Sequence, residues 1–248
     1  KEPKARPFGT KSKEEIMSEQ ENRTLTEDEK IGIKNKQTLS QTVSKLPLYE
    51  IKIFINRWNE YEKLNKLLLY EIEEHKKEDP KGLPYTNPNC WRGMKKYKCE
   101  PDLGKAISSM VSVWCDHYLP NKWVDATMEY WANVNDPGGW NDFHHHRFAN
   151  DADLSGVYYV QAGETGIVRF TTPEQMWGII PKHMPFSKSV GHMPRDGDIL
   201  LWQSHVLHDV PPNPSPTKQR INVAFNVSLK IRDKTKKDNV VKMEDHKK

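Results

Sequence analysis

Between Asn56 and Glu74, apolar side chains recur at spacings of three and four. Trp58, Tyr61, Leu64, Leu68 and Ile72 fall on one side of a helix. Pro80, Gly82 and Pro84 end that pattern. A second stripe of Ile107, Met110, Val111 and Trp114 predicts a helix over Leu103 to Tyr118. Ahead of both, Leu46 to Ile55 mixes β-branched and aromatic residues, as a strand does. Beyond Pro120 the pattern changes to short alternating or wholly apolar runs: Trp123 to Val134, Leu154 to Gln161, Ile167 to Thr171, Asp198 to Trp202 and Gln219 to Leu229. Gly, Pro, Asn and Asp separate these runs, which is the signature of an antiparallel sandwich or barrel. The expected fold is mainly β: a jelly roll over about 121–229 with supporting helices at 56–74 and 103–118. The stripes on those helices read as core packing.

Composition narrows the class. The chain has 248 residues, enough for one good core. Mean hydropathy is −0.85 and no apolar run approaches the length of a membrane helix, so no membrane partner is expected. Lys1 to Ser18 lacks the apolar stretch of a secretory signal. Residues 1–45 are polar and read as a flexible segment ahead of a domain at 46–229. The net charge of +4 equals the excess of Lys and Arg within residues 230–248, a basic tail. A body this close to neutral argues against nucleic acid as a partner. Three cysteines, Cys90, Cys99 and Cys115, form no C-x-x-C pair. They fit a reducing compartment, and a cytoplasmic location is expected.

The candidate chemistry lies in the histidines. His144, His145 and His146 follow the turn Asp136-Pro137-Gly138-Gly139. On an extended segment His144 and His146 share a face, while His145 points away. His208 comes 64 residues after His144, behind the apolar run Ile199 to Trp202, and Arg220 follows 12 residues later. Each feature alone is weak. In this order they suit a metal centre: two neighbouring ligands and one distant ligand form one face, and the other face stays open. A guanidinium deeper in the barrel can clamp a carboxylate. His205 reads as a residue at the strand end, and His117, His183 and His192 read as surface or loop residues. Asn222 and Asn226 alternate in step with Arg220, so they either face inward toward a bound molecule or satisfy strand backbone.

These residues carry a resemblance. His208-Asp209-Val210-Pro211-Pro212 resembles the H-x-V-x-P turn of the 2-oxoglutarate/Fe(II) dioxygenases, and Arg220 stands at the spacing of their co-substrate arginine. Trp131-Ala132-Asn133-Val134-Asn135, the Gly-Gly turn, His144-x-His146 and Leu154 to Val160 look like one little-characterised subgroup from marine bacteria and phages. The resemblance runs from about Leu46 to Leu229. It implies a double-stranded β-helix of the cupin-like kind, with Fe(II) as metal and 2-oxoglutarate as co-substrate. His144 and His208 match the first and distal metal ligands, and Arg220 matches the partner of the remote carboxylate. Tyr159 matches a strand tyrosine that assists that arginine. Val157 and Val168 match apolar walls of the pocket, and Thr165-Gly166 matches the glycine turn into the next core strand.

The chain departs from the common H-x-D pattern by carrying H-x-H. His146 is then a third ligand, or Asp142, Asp151 or Asp153 enters instead, or only two residues bind the metal, as in related halogenases. The implied activity is hydroxylation of a small molecule or a protein or peptide, with release of succinate and CO2. Two other classes fit parts of the pattern: a three-histidine cupin-type dioxygenase without 2-oxoglutarate, and a non-catalytic metal-binding jelly roll. Trp123, Trp131, Trp140 and Trp177 are candidates to line an entrance. Thr172 to Arg195 has the length of a lid.

Overall fold

In the computed structural model, the described residues are 51–83, 89–94, 96–146, 151–172 and 189–233. The expected strand over residues 46–50, the polar segment 1–45, most of the 230–248 tail, His183, Trp177 and most of the expected lid lie outside them.

Among the described residues, ten strands and two helices follow in the order β1 (Phe54–Arg57), α1 (Tyr61–Glu78), β2 (Cys90–Gly93), α2 (Glu100–Tyr118), β3 (Lys122–Asn135), β4 (Asn141–His144), β5 (Leu154–Gln161), β6 (Val168–Thr171), β7 (Val190–His192), β8 (Asp198–Gln203), β9 (Leu207–Val210) and β10 (Arg220–Asp233). They form two antiparallel sheets. The larger has the order β1-β8-β5-β10-β3-β2 and the smaller β4-β9-β6-β7. This is the expected jelly roll with helices on its N-terminal side. The first helix starts five residues later than expected, at Tyr61, because Asn56 and Arg57 pair with Ile199 and Asp198 in the sheet. The second starts earlier, at Glu100, with Pro101 in its first turn, where a missing N–H costs nothing.

The large sheet has two different faces, and the two-residue period of its strands creates them. On β10, Ile221, Val223, Phe225 and Val227 enter a core with Leu64, Leu68 and Ile72 of α1 and Leu103, Ile107 and Met110 of α2. The intervening Arg220, Asn222 and Asn226 are also buried, on the opposite side. On β5, Tyr158 and Val160 join the helix-side core, whereas Val157 and Tyr159 join a second core with Val168 and Phe170 of β6 and Leu200 and Trp202 of β8. That second core fills the space between the sheets. Asn65 of α1 fixes the helix to the sheet: its side-chain amide donates to the Val160 carbonyl at 2.7 Å and accepts from the Tyr158 hydroxyl at 2.7 Å. Among the described residues no helix is long and apolar enough to cross a membrane.

Candidate metal centre

β4 and β9 are antiparallel neighbours, and their register places His144 directly opposite His208. Such partners carry their side chains on one face, and the two imidazole centroids lie 4.2 Å apart. Two residues beyond His144, the backbone N–H of His146 donates to the Ser204 carbonyl at 2.8 Å, which holds this short extension against the end of β8. Its ring centroid is then 5.1 Å from that of His144 and 5.2 Å from that of His208. One nitrogen from each of the three rings lies within 4.8 Å of the others. His145 is exposed and outside this cluster, as alternation requires.

Each imidazole is oriented by its other nitrogen. Nδ1 of His144 meets the Asp142 carbonyl at 2.7 Å, and Nδ1 of His208 meets the Val206 carbonyl at 3.0 Å. Nδ1 of His146 meets Oδ1 of Asn226 at 2.8 Å. Carbonyl oxygens only accept, so each Nδ1 carries the proton and each Nε2 keeps its lone pair. The Nε2 of His146 is buried with no hydrogen-bond partner. Such an atom is costly unless something binds it. Burial, with a smaller contribution from the neighbouring His144, holds the pKa of His146 down to about 4. Burial also lowers His144 and His208, the latter well below the usual histidine range. All three rings are therefore neutral at pH 7, the form that ligates a divalent metal. The donor set fits Fe(II) among other first-row ions.

Among the described residues no aspartate joins the cluster. Asp142 offers its backbone carbonyl to His144, and the Asp153 carboxylate accepts the backbone N–H of Leu229 at 2.7 Å. Asp151 is exposed, in a turn with φ 52°.

Beside the histidines a cavity of about 110 Å³ opens between the sheets, with Val157, Tyr159, Val168 and Asn222 in its wall. Arg220 is 1 % exposed and is not among the residues that line the cavity. Its Nε donates to the Thr165 hydroxyl at 3.3 Å and its Nη2 to the Thr165 carbonyl, while Nη1 is buried without a partner. Its charge acts on the Tyr159 hydroxyl, although burial still raises the pKa of that phenol. Gly166 makes this possible. Its φ is +94°, and a Cβ there would come within 2.7 Å of the Arg220 Nη2. The partnerless Nη1 suits a carboxylate oxygen, so the residues present fit 2-oxoglutarate as well as the metal.

Of the expected inward asparagines, Asn226 orients His146 and Asn222 accepts from Asn133 at 2.9 Å. Wall residues that were not foreseen include Arg92, Asn133 and Trp202. Arg92 comes from β2, which was not expected to be a strand. Trp131 lines the cavity, whereas Trp123 is 62 % exposed beside α2, and Trp140 is not in the wall. His117 is exposed as expected, His205 lies in the turn just beyond the end of β8, and His192 pairs with Asp198 at 3.2 Å.

Comparison with known proteins agrees with this geometry. Residues 129–226 match the model of a family described as "Putative 2OG-Fe(II) oxygenase". No curated protein matches the chain. Among solved structures, a prolyl-4-hydroxylase from Pseudomonas putida aligns with a TM-score of 0.52 at 14% identity, over 71% of this chain and 91% of the other. A prolyl hydroxylase from Trichoplax adhaerens, solved with a hypoxia inducible factor peptide, gives 0.52 at 16%, over 79% and 91%. The alpha-ketoglutarate dependent carbocyclase SnoK of nogalamycin biosynthesis gives 0.55 at 12%, over 72% and 79%. At these identities the structures speak for the fold alone; the family match is what speaks for the chemistry. Residues 129–226, which hold the three histidines, Tyr159 and Arg220, are thus similar to the 2-oxoglutarate/Fe(II) oxygenases.

Proposed function

We propose that the chain is a hydroxylase in which His144, His146 and His208 hold Fe(II), and Arg220 with Tyr159 holds the far carboxylate of 2-oxoglutarate. The observation that carries this reading is the shared orientation of three imidazoles. Every Nδ1 is committed to an oxygen, every Nε2 is left for one ion, and an unsatisfied guanidinium N–H waits in the same barrel.

When bound, the metal and co-substrate supply the oxidising chemistry that couples conversion of 2-oxoglutarate to succinate and CO2 with oxygenation of a C–H bond. The chain's own residues position and exclude. Asn226 and the carbonyls of Asp142 and Val206 lock ring orientation and raise ligand basicity. Three neutral ligands leave the site one unit more positive than a site with a carboxylate ligand. Val157, Val168 and Trp202 supply the apolar part of the wall, which keeps water from the reacting atoms. The reacting molecule is a small molecule or a peptide side chain, in a reducing, cytoplasmic setting that suits three free cysteines.

The test is succinate formation with Fe(II) and 2-oxoglutarate, in wild type and His208→Ala, with the fold of both checked by circular dichroism. Turnover in wild type and loss of at least 100-fold in the variant is expected; equal turnover rejects the assignment. Calorimetry with 2-oxoglutarate and Ni(II) separates this reading from a three-histidine dioxygenase that needs no keto acid: binding that weakens in Arg220→Gln is expected.

A further inference from the structure

The large sheet leaves a long edge open. β3 pairs with β10 along its whole length, but on its other side β2 meets only Ala132 to Asn135. Tyr97 stacks on Tyr130 next to that short pairing. From Lys122 to Met128, about 23 Å at the usual rise of a strand, no further strand is paired with β3 among the described residues. Asp125, Ala126, Thr127 and Met128 are all exposed there.

Monomeric proteins blunt such edges with bulges, prolines or outward charges, because a row of N–H and C=O groups recruits another strand. β3 uses none of these between residues 122 and 128. Its register with β10 is unbroken, and the stretch contains no proline. Its two charges are already engaged on β10: Lys122 pairs with Asp233, and Asp125 with Arg232 at 2.7 Å. Two positive and two negative groups cancel, so a second ribbon of this kind approaches without repulsion from these pairs.

Alternation also gives the edge an apolar side. Val124, Ala126 and Met128 line a groove of about 350 Å³ with Val111 and Cys115 of α2 and Leu119 just beyond it. The stretch is complementary to itself. In an antiparallel pairing of two copies about a two-fold axis at Ala126, residue 124 of one lies opposite 128 of the other, and 125 opposite 127. Val124 then meets Met128, Ala126 meets Ala126, and Asp125 meets Thr127. An axis at Asp125 would oppose two carboxylates, and an axis at Thr127 would set Asp125 against Glu129. Charge and the apolar pattern therefore select the same register. Backbone pairing over so few residues falls short of the roughly 1,000 Å² of a stable interface, so side chains must add to it. Met128 can do so by covering the groove of the other copy.

We propose that β3 is a dimer edge: two copies of this chain pair antiparallel over residues 124–128, joining two six-stranded sheets into one. The groove lies on the α2 side of the sheet and the histidines on the other, so this pairing is independent of what the histidines bind.

The test is sedimentation equilibrium of the full chain across a hundredfold range of concentration, together with hydrogen exchange of residues 122–131. The mass should approach twice 28.9 kDa at the upper end, and amides within 124–128 should slow at least 10-fold as it does. Ala126→Lys sets two ammonium groups together at the axis and should weaken association at least 10-fold. Val124→Lys and Met128→Glu should each do the same. A chain carrying both of these changes opposes unlike charges at both symmetry-related contacts, and should associate at least 10-fold more tightly than either single variant. Circular dichroism checks the fold of each, and the exposed position of Ala126 and Met128 keeps them clear of the core. A monomer at every concentration overturns the proposal. So does a dimer that survives all three single changes, which would place the interface elsewhere. Slow amides at 124–128 that ignore concentration also overturn it, because another part of the same chain would then cover the edge. Failure of the double variant to recover association rejects the pairing about Ala126.

Discussion

Replacing Asn226 with Leu isolates the contribution of one orienting hydrogen bond to metal affinity. Asn226 is 5 % exposed, and its Oδ1 accepts from Nδ1 of His146 at 2.8 Å and from the Ser155 hydroxyl at 2.9 Å. Leu has nearly the same volume and keeps the backbone pairing of β10. Two donors then lose their acceptor, at about 1–3 kcal/mol for each that stays dry. The Ser155 hydroxyl can rotate, so most of the effect falls on His146. Its ring is freed to turn or to move its proton to Nε2, and either change removes the lone pair from the cluster. Loss of such a partner typically lowers metal affinity about 10–100-fold, which is about 1.4–2.7 kcal/mol. The assay is Ni(II) titration by calorimetry at pH 7.5, with His146→Ala as the floor. Asn226→Asp keeps the acceptor and adds a negative charge, so it should bind at least as tightly as wild type. Asn226→Leu within twofold of wild type, while His146→Ala loses binding, would refute the orienting role. Both variants within twofold would remove His146 from the ligand set.

Three further outcomes follow from the same contacts. His146 is held neutral down to about pH 4, whereas in the unfolded chain it takes a proton near 6.5. The unfolded state therefore binds more protons in that window, and metal-free stability should fall as pH drops from 6.5 toward 4, by up to about 3 kcal/mol from this residue. Urea melts of wild type and His146→Gln should diverge by that amount between pH 7.5 and pH 4.5; parallel curves would contradict it. Gly166→Ala puts a Cβ 2.7 Å from the Arg220 Nη2 at a positive φ, so a loss of about 1–3 kcal/mol and weaker 2-oxoglutarate binding are expected from melts and calorimetry, and a silent variant would show that the loop relaxes. Asn65→Leu strands the Tyr158 hydroxyl and the Val160 carbonyl between α1 and the sheet; at about 2 kcal/mol it should lower Tm by about 4–8 °C, and no shift would mean that water replaces the amide.

Much of the architecture was legible because long strands announce themselves. β3, β5, β8 and β10 are continuous or alternating apolar runs, and each was expected within three residues except at the far end of β10. Ile167 to Thr171 was expected as well, but other short strands were not. Cys90–Gly93, Asn141–His144 and Val190–His192 have too few residues to show a period, and pairing with neighbours alone makes them strands. The grouping of His144, His146 and His208 could be anticipated from spacing, since alternation sets the first two on one face. Asn226 could be suspected from its step of two along β10, but its bond to His146 could not, because it depends on how the extension beyond β4 docks against the end of β8. Arg92 was missed for the same reason. Only the burial of Trp91 and Gly93 on either side reveals where it points, and that is a property of packing against α1.

The alternation along β10 has an evolutionary corollary. Because structural and chemical duties are interleaved one by one on a single segment, exchange of an odd or an even position alters only one of them. New specificities can thus be sampled at 222 or 224 without endangering the scaffold. Deleting one amino acid from this segment is a different event: it would swing Phe225 and its apolar companions toward the metal and drive a guanidinium into oil, abolishing folding and chemistry together.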